Sequence, residues 1–80
     1  MIHDLKTIPP FFNEVKDGTK TFELRRNDRN FRVDDVLLLR EYLPESNTYS
    51  GRETVRRITY VLTGFAGLEE GYAILGIRSL

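Results

Sequence analysis

The chain has 80 residues, of which 40% are hydrophobic and 30% charged, so it has enough apolar material for one small domain and is not disordered by composition. It has no cysteine and a single histidine, which excludes disulfides, thiolate metal sites and the common zinc sites. We therefore expect no cofactor and no metal. The N-terminal residues are partly charged, and no stretch reaches about 18 apolar residues, so we expect a soluble, cytoplasmic protein outside the membrane.

Positive charge is concentrated in one part of an otherwise balanced sequence. The whole chain has twelve basic and twelve acidic residues. Residues 16–32 contain six cations and three anions, a local excess of +3, which leaves −3 for the remainder. The zero total argues against avid non-specific binding to a phosphate backbone. The positive segment fits either a face for an anionic ligand or an ordinary salt-bridged surface, and charge alone does not decide.

The first elements are a strand and a short helix. Residues 2–7 alternate in polarity and predict a strand that ends before Pro9-Pro10, a pair that fits the start of a helix. One of the phenylalanines 11–12 shares a helical face with Val15. Gly18 is a natural stop at the left-handed position after a helix, so we expect this helix to be short and to pack against the core.

After Lys20 the period of the pattern changes to two, which predicts a half-buried strand. Its side chains alternate between an apolar face, Phe22 and Leu24, and a polar face, Thr21, Glu23 and Arg25. Residues 27–30 are typical of a turn-rich polar loop.

The second half of the chain predicts three more strands. A turn at Asp34-Asp35 precedes a strand over 36–43, and this strand forms an antiparallel hairpin with residues 54–62. A glycine-rich loop over 63–71 then leads to a strand over 72–77 that is apolar on both faces, as a central strand would be.

One strand, one helix and four further strands leave too few helices for parallel crossovers. We therefore predict an α+β, mainly β domain spanning 1–80: an open or closed five-stranded barrel with one short helix packed against it.

The most concentrated polar chemistry is the pattern Gly18-x-Lys20-x-x-Glu23-x-Arg25. Glu23 and Arg25 share a strand face, and Lys20 joins them if the backbone turns or bulges just after Gly18. Such a cleft would have mixed charge: the cations suit a phosphate, and the carboxylate suits the amino edge of a base. A surface strand with cross-strand ion pairs explains the same pattern equally well.

The string Gly18-Thr-Lys-Thr-Phe-Glu-Leu-Arg25 resembles the signature of ASCH domains, which belong to the PUA-like superfamily. The whole chain is similar to small phage and bacterial ASCH-like proteins for which RNA binding is proposed, and the most specific part is 18–29. Asp34 stands where that pattern often has glycine, which bears on the fold more than on the function. The resemblance implies a PUA-like barrel with a cleft between barrel and helix that takes RNA or a nucleotide.

The leading hypothesis is a non-catalytic module that binds RNA or a modified nucleotide. The residues predicted to bind phosphate are Lys20, Arg25 and Arg26, and the residue predicted to bind a base edge is Glu23. The loop is predicted to be shaped by Asn27 and Asp28, and two further ligand contacts are predicted at Lys6 and Tyr72. Tyr72 is the best candidate for stacking on a base. His3 is expected to be a packed or partly exposed structural residue, and Arg56-Arg57 to be solvated surface.

A related branch resembles small amidohydrolases that deacetylate N-acetylcytidine with a lysine, a threonine three residues later and a distant glutamate. The lysine corresponds to Lys20, but the threonine position is Glu23, so the nucleophile of that branch is missing. In the enzyme hypothesis, Thr21 on the Glu23 face replaces that nucleophile, with Lys20 as base and Glu69 or Glu70 as the distant acid, so the candidate catalytic residues are Lys20, Thr21 and Glu23. A third hypothesis is an accessory module that binds another protein through a sheet edge; the oligomeric state stays open.

Overall fold

The computed structural model describes all residues, 1–80. Five strands and one helix follow one another in the predicted order: β1 (Ile2–Thr7), α1 (Phe11–Lys16), β2 (Phe22–Arg26), β3 (Val36–Leu43), β4 (Thr48–Leu62) and β5 (Tyr72–Arg78). The domain is mainly β, with one short helix, as predicted. None of its helical segments has the length and apolar character needed to cross a membrane.

All five strands form one sheet, curled into a half-barrel, in the order β1-β3-β4-β5-β2. The β3/β4 hairpin is antiparallel and β5 is internal, which confirms both predictions. The prediction that no strands are parallel is wrong, because β1 pairs with β3 in parallel. The connection over residues 8–35 includes both α1 and β2, so it is long enough for the crossover that a parallel pair requires.

The half-barrel is open between its two edge strands, β1 and β2. At the free edge of β1, the backbone carbonyls are bound by arginine side chains and not by the backbone of a neighbouring strand. Arg25 Nη2 donates to the carbonyl of Lys6 at 2.8 Å, and Arg29 Nη1 donates to the carbonyl of Asp4 at 2.9 Å. These guanidinium groups satisfy carbonyls that an unprotected edge would offer to another strand.

The core lies on the concave side of the sheet and contains side chains from the sheet and the helix. Leu37, Leu39 and Leu75 are fully buried sheet residues. From α1, Phe12 and Val15 are also buried, so the helix packs against the core as expected.

The end of α1 is fixed by a backbone turn and by a side chain from the sheet. The helix ends at Lys16, and Gly18 has a φ of 88°, which confirms the predicted glycine stop. Arg56 Nη2 donates to the carbonyl of Val15 at 2.9 Å. The prediction that Arg56 is solvated surface is therefore wrong: its charge lies at the negative end of the helix.

The hairpin departs from prediction at the start of β4, which begins at Thr48 and not at Thr54. The pairing register changes opposite Glu41, where β4 bulges at Gly51 with a φ of 95°. Because glycine adopts this left-handed conformation without strain, β4 is not interrupted at the bulge. Its pairing with β3 therefore extends back to the tight turn that joins the two strands.

The exposure of β2 is the reverse of what its alternation suggests. Glu23 is only 3% exposed, whereas Phe22 is 45% and Leu24 55% exposed. The reason is the position of β2 at the sheet edge beside the gap to β1. Its inward face holds the ion pairs that bridge this gap, and its apolar face is left outside.

Candidate ligand-binding cleft

A cleft of about 530 Å³ lies between the end of β1, the start of α1 and the edge strand β2. This volume falls in the range of small-molecule sites, roughly 300–1,000 Å³. Its lining combines polar and apolar residues from these three elements and from the loops that flank them: Lys6, Thr7, Ile8, Phe11, Lys20, Phe22, Glu23, Leu24 and Arg25.

A buried carboxylate between two cations forms the polar part of the cleft. Lys20 Nζ lies 2.6 Å from Glu23 Oε2, and Arg25 Nη2 lies 2.8 Å from Glu23 Oε1. The turn at Gly18 and a hydrogen bond from the Lys20 amide to the carbonyl of Glu14, 2.9 Å long, place the lysine beside the strand. The structure thus brings together the three residues that the sequence pattern singled out, with a combined charge of +1.

Each of the two cations keeps donors that the protein does not use. Lys20 Nζ donates to Glu23 and to the carbonyl of Phe22, the latter at 2.7 Å, so one of its three N–H groups is free. Arg25 uses Nε and Nη2, while Nη1 forms no hydrogen bond within the chain. A ligand phosphate or carbonyl can therefore accept from Lys20 and Arg25 without displacing Glu23.

Exposed apolar side chains surround this charged group. Ile8, Phe11, Phe22 and Leu24 are each between 41% and 55% exposed. Lys20 Nζ lies 4.8 Å from the centroid of the Phe22 ring and 5.6 Å from that of Phe11. Sequence reasoning missed these four residues, because their spacing is equally typical of buried strand and helix faces.

The remaining predicted binding residues do not all reach the cleft. Lys6 lines it, but its Nζ lies over the Tyr42 ring, 4.4 Å from the centroid, and its carbonyl is bound by Arg25. Asn27 and Tyr72 line a second cavity of about 520 Å³. The Arg26 guanidinium lies 5.1 Å from the centroid of the Tyr72 ring.

The two residues predicted to shape the loop, Asn27 and Asp28, also differ in their contacts. Asn27 Oδ1 accepts from the backbone amide of Phe31 at 3.0 Å, and the backbone N–H of Asn27 donates to the carbonyl of Gly71 at 2.8 Å. Asn27 therefore organises the loop, whereas Asp28 is exposed. Of the predicted set, four residues line the cleft and two the second cavity, whereas Arg26 and Asp28 line neither.

Of the residues suggested for an amidohydrolase, Lys20 and Glu23 line the cleft, but the others lie elsewhere. Thr21 does not line the cleft, and its carbonyl accepts from the amide of Ile77 at 3.0 Å. Glu70 lines the second cavity, and Glu69 is exposed. The hydroxyl in the cleft belongs to Thr7, whose Oγ1 accepts from Arg25 at 3.3 Å. No three His, Asp or Glu side chains converge as metal ligands.

A second buried polar pair lies away from the cleft. His3 is 3% exposed, its Nε2 is 2.9 Å from Asp35 Oδ2, and its ring contacts Phe31 edge-on. His3 is thus a packed structural residue, as expected. The hydrogen bond from His3, together with one from the amide of Arg32, holds the pKa of the Asp35 carboxyl below its ordinary value of 3.8, although burial opposes the shift.

This lowered pKa predicts a specific loss of stability in acid. The charged Asp35 stabilises the fold fully above about pH 3.8, and this contribution is lost as the pH falls through the lower folded-state pKa. We expect Asp35→Asn to cost about 1.5–3 kcal/mol at pH 7 and to flatten the fall in stability below pH 4, measured by urea unfolding at several pH values. Asp28→Asn, at an exposed aspartate, should keep the wild-type profile. An acid loss in Asp35→Asn as steep as that of the wild type would contradict this assignment.

Comparison with known sequences identifies the family. Residues 2–77 match the family described as a domain of unknown function, DUF3850. A relative from Escherichia phage P2, described as an uncharacterized 12.9 kDa protein in the GpA 3′ region, is 35% identical over 74 residues. That alignment covers 92% of this chain but only 65% of the relative. Because the family match extends over nearly all of the sheet and the helix, the chain belongs to the DUF3850 family.

Proposed function

We propose that this domain binds a nucleotide or a short segment of RNA in the cleft without transforming it, as an ASCH-like member of the PUA-like superfamily. The observation that carries the proposal is the buried Glu23 carboxylate, held between two cations that keep free donors and surrounded by exposed aromatic rings. The curled five-stranded sheet with one helix is consistent with this superfamily.

Each part of the cleft suits one part of a nucleotide. Lys20 and the Nη1 group of Arg25 can donate to phosphate oxygens. Phe11 and Phe22 offer ring faces on which a base can stack, an interaction that suits any base. Glu23 retains lone pairs after accepting from both cations, so it can also accept a hydrogen bond from an exocyclic amine.

The charge of the protein favours a small ligand over a long nucleic acid. The net charge is zero, and Lys20, Glu23 and Arg25 together contribute +1. Binding to long polyanions depends chiefly on the number of cations that contact phosphates. A confined cleft with stacking surfaces needs fewer such contacts, because burial of the base supplies part of the affinity.

The proposal is tested by titrating the protein with the ribonucleoside 5′-monophosphates, short RNAs and N-acetylcytidine, with amide shifts followed by NMR and the mixture assayed for product. We expect shifts at the cleft residues and no product. Lys20→Gln should weaken binding about tenfold and reduce its salt dependence, because a charged donor is lost. Lys16→Gln, at an exposed lysine outside the cleft, is the matched control.

Two results would overturn the proposal. Equal affinity in the wild type and Lys20→Gln would show that the cleft is not the binding site. Release of acetate from N-acetylcytidine that is lost in Lys20→Gln would instead establish a hydrolase.

A further inference from the structure

The outer face of β2 connects the cleft to the second cavity. Phe22, Leu24 and Arg26 point outward from the strand and are exposed; we call these three residues the β2 stripe. Phe22 and Leu24 line the cleft, and Arg26 lies against Tyr72, which lines the second cavity. The two cavities are therefore joined by a continuous exposed surface.

The length of the β2 stripe exceeds what one nucleotide needs. Four residue steps of extended strand separate the ends of the stripe, a distance of about 13 Å, equal to the rise of about four stacked nucleotides at about 3.4 Å each. A ligand that occupies both cavities must therefore be an oligomer.

Each end of the stripe combines an aromatic ring with a cation. Lys20 Nζ lies 4.8 Å from the Phe22 ring centroid, and the Arg26 guanidinium lies 5.1 Å from the Tyr72 centroid. The second cavity adds Phe65, which is 63% exposed. Stacking rings beside cations that follow a backbone are what single-strand binding proteins use.

The charge pattern favours a nucleic acid strand over a second copy of this chain. The stripe and the two cavities that it joins have an excess charge of +2, from the cations Lys6, Lys20, Arg25 and Arg26 and the anions Glu23 and Glu70. A two-fold dimer through this face would place like charges opposite each other, whereas a phosphate backbone complements them.

We propose that the second cavity is a subsite for single-stranded RNA, and that a strand of about four nucleotides runs along the β2 stripe from the cleft to Tyr72. This inference rests on the proposed function, because the cleft provides the first subsite.

The test compares two probes, the ribonucleoside 5′-monophosphates and a random-sequence RNA tetramer, by measuring Kd for the wild type and two variants. The wild type should bind the tetramer about tenfold more tightly than any monophosphate. Tyr72→Leu and Arg26→Gln should each lose most of this advantage without changing monophosphate affinity. Tyr49→Leu is the matched control, since the Tyr49 ring also lies beside an arginine, Arg40, but lines neither cavity.

The outcomes separate this inference from the proposed function. Monophosphate binding with no gain for the tetramer, or a gain unchanged in both variants, would overturn the inference and leave the proposed function standing. Failure of the wild type to bind either probe would overturn both. A dimer in sedimentation that Tyr72→Leu dissociates, with RNA affinity unchanged, would assign the stripe to a second copy and overturn the inference.

Discussion

Glu23→Ala should lower the free energy of unfolding by about 3 kcal/mol. Removing one partner of a buried ion pair typically costs about 3–5 kcal/mol because the remaining charge is left uncompensated. The Glu23 side chain is 4% exposed, while those of Lys20 and Arg25 are 16% and 24% exposed, so water partly solvates the released cations and the lower end of that range applies. The loss also frees Arg25, which bridges β2 to β1.

The measurement is urea unfolding of Glu23→Ala beside the matched control Glu53→Ala. Glu53 also pairs with an arginine, Arg40, at 3.3 Å, but its side chain is 49% exposed. Exposed ion pairs contribute about 0–1 kcal/mol, so the control should remain close to the wild type. If the two variants lost similar free energies of unfolding, the ion pairs of Glu23 would be no more important for stability than an exposed pair.

Phe12→Ala should cost about 3–5 kcal/mol, because it removes a fully buried ring and leaves a cavity between α1 and the sheet. The neighbouring Phe11 provides the control, since it is 44% exposed and lines the cleft. Phe11→Ala should change stability by about 0.5 kcal/mol or less, the usual limit for surface substitutions, and should weaken nucleotide binding.

The stabilities of both variants are measured by urea unfolding, monitored by circular dichroism. An unchanged m-value would show that the loss of stability does not come from a change in the denatured state. Binding is measured on Phe11→Ala and on a conservative core variant, Phe12→Leu, which keeps most of the apolar volume. The assignment of adjacent phenylalanines to core and cleft would be wrong if Phe11→Ala destabilised the fold as much as Phe12→Ala.

The candidate site was partly predictable because its polar residues are close in sequence. Lys20, Glu23 and Arg25 lie within six positions, and Gly18 supplies the backbone turn that brings the lysine beside the strand. The apolar rim was not predictable. Phe22 and Leu24 have the alternation of a half-buried strand, and only the position of β2 at an open edge leaves them exposed.

The sequence by itself determined the order and type of the elements, because the residues responsible act on their immediate neighbours. Pro9-Pro10 and Gly18 delimit α1, and Asp34, with a φ of 78°, turns the chain before β3. These are local conformational preferences that do not depend on the rest of the fold.

Only the tertiary structure decided which strands are neighbours and which face of β2 is buried. The parallel pairing of β1 with β3 leaves β1 and β2 as the two edges of the half-barrel. Arg25 then spans the gap between them and draws Glu23 inward. These contacts join residues distant in sequence, so alternation within β2 cannot specify them. They are specified by the strand pairing that places β1 and β2 on either side of the open edge.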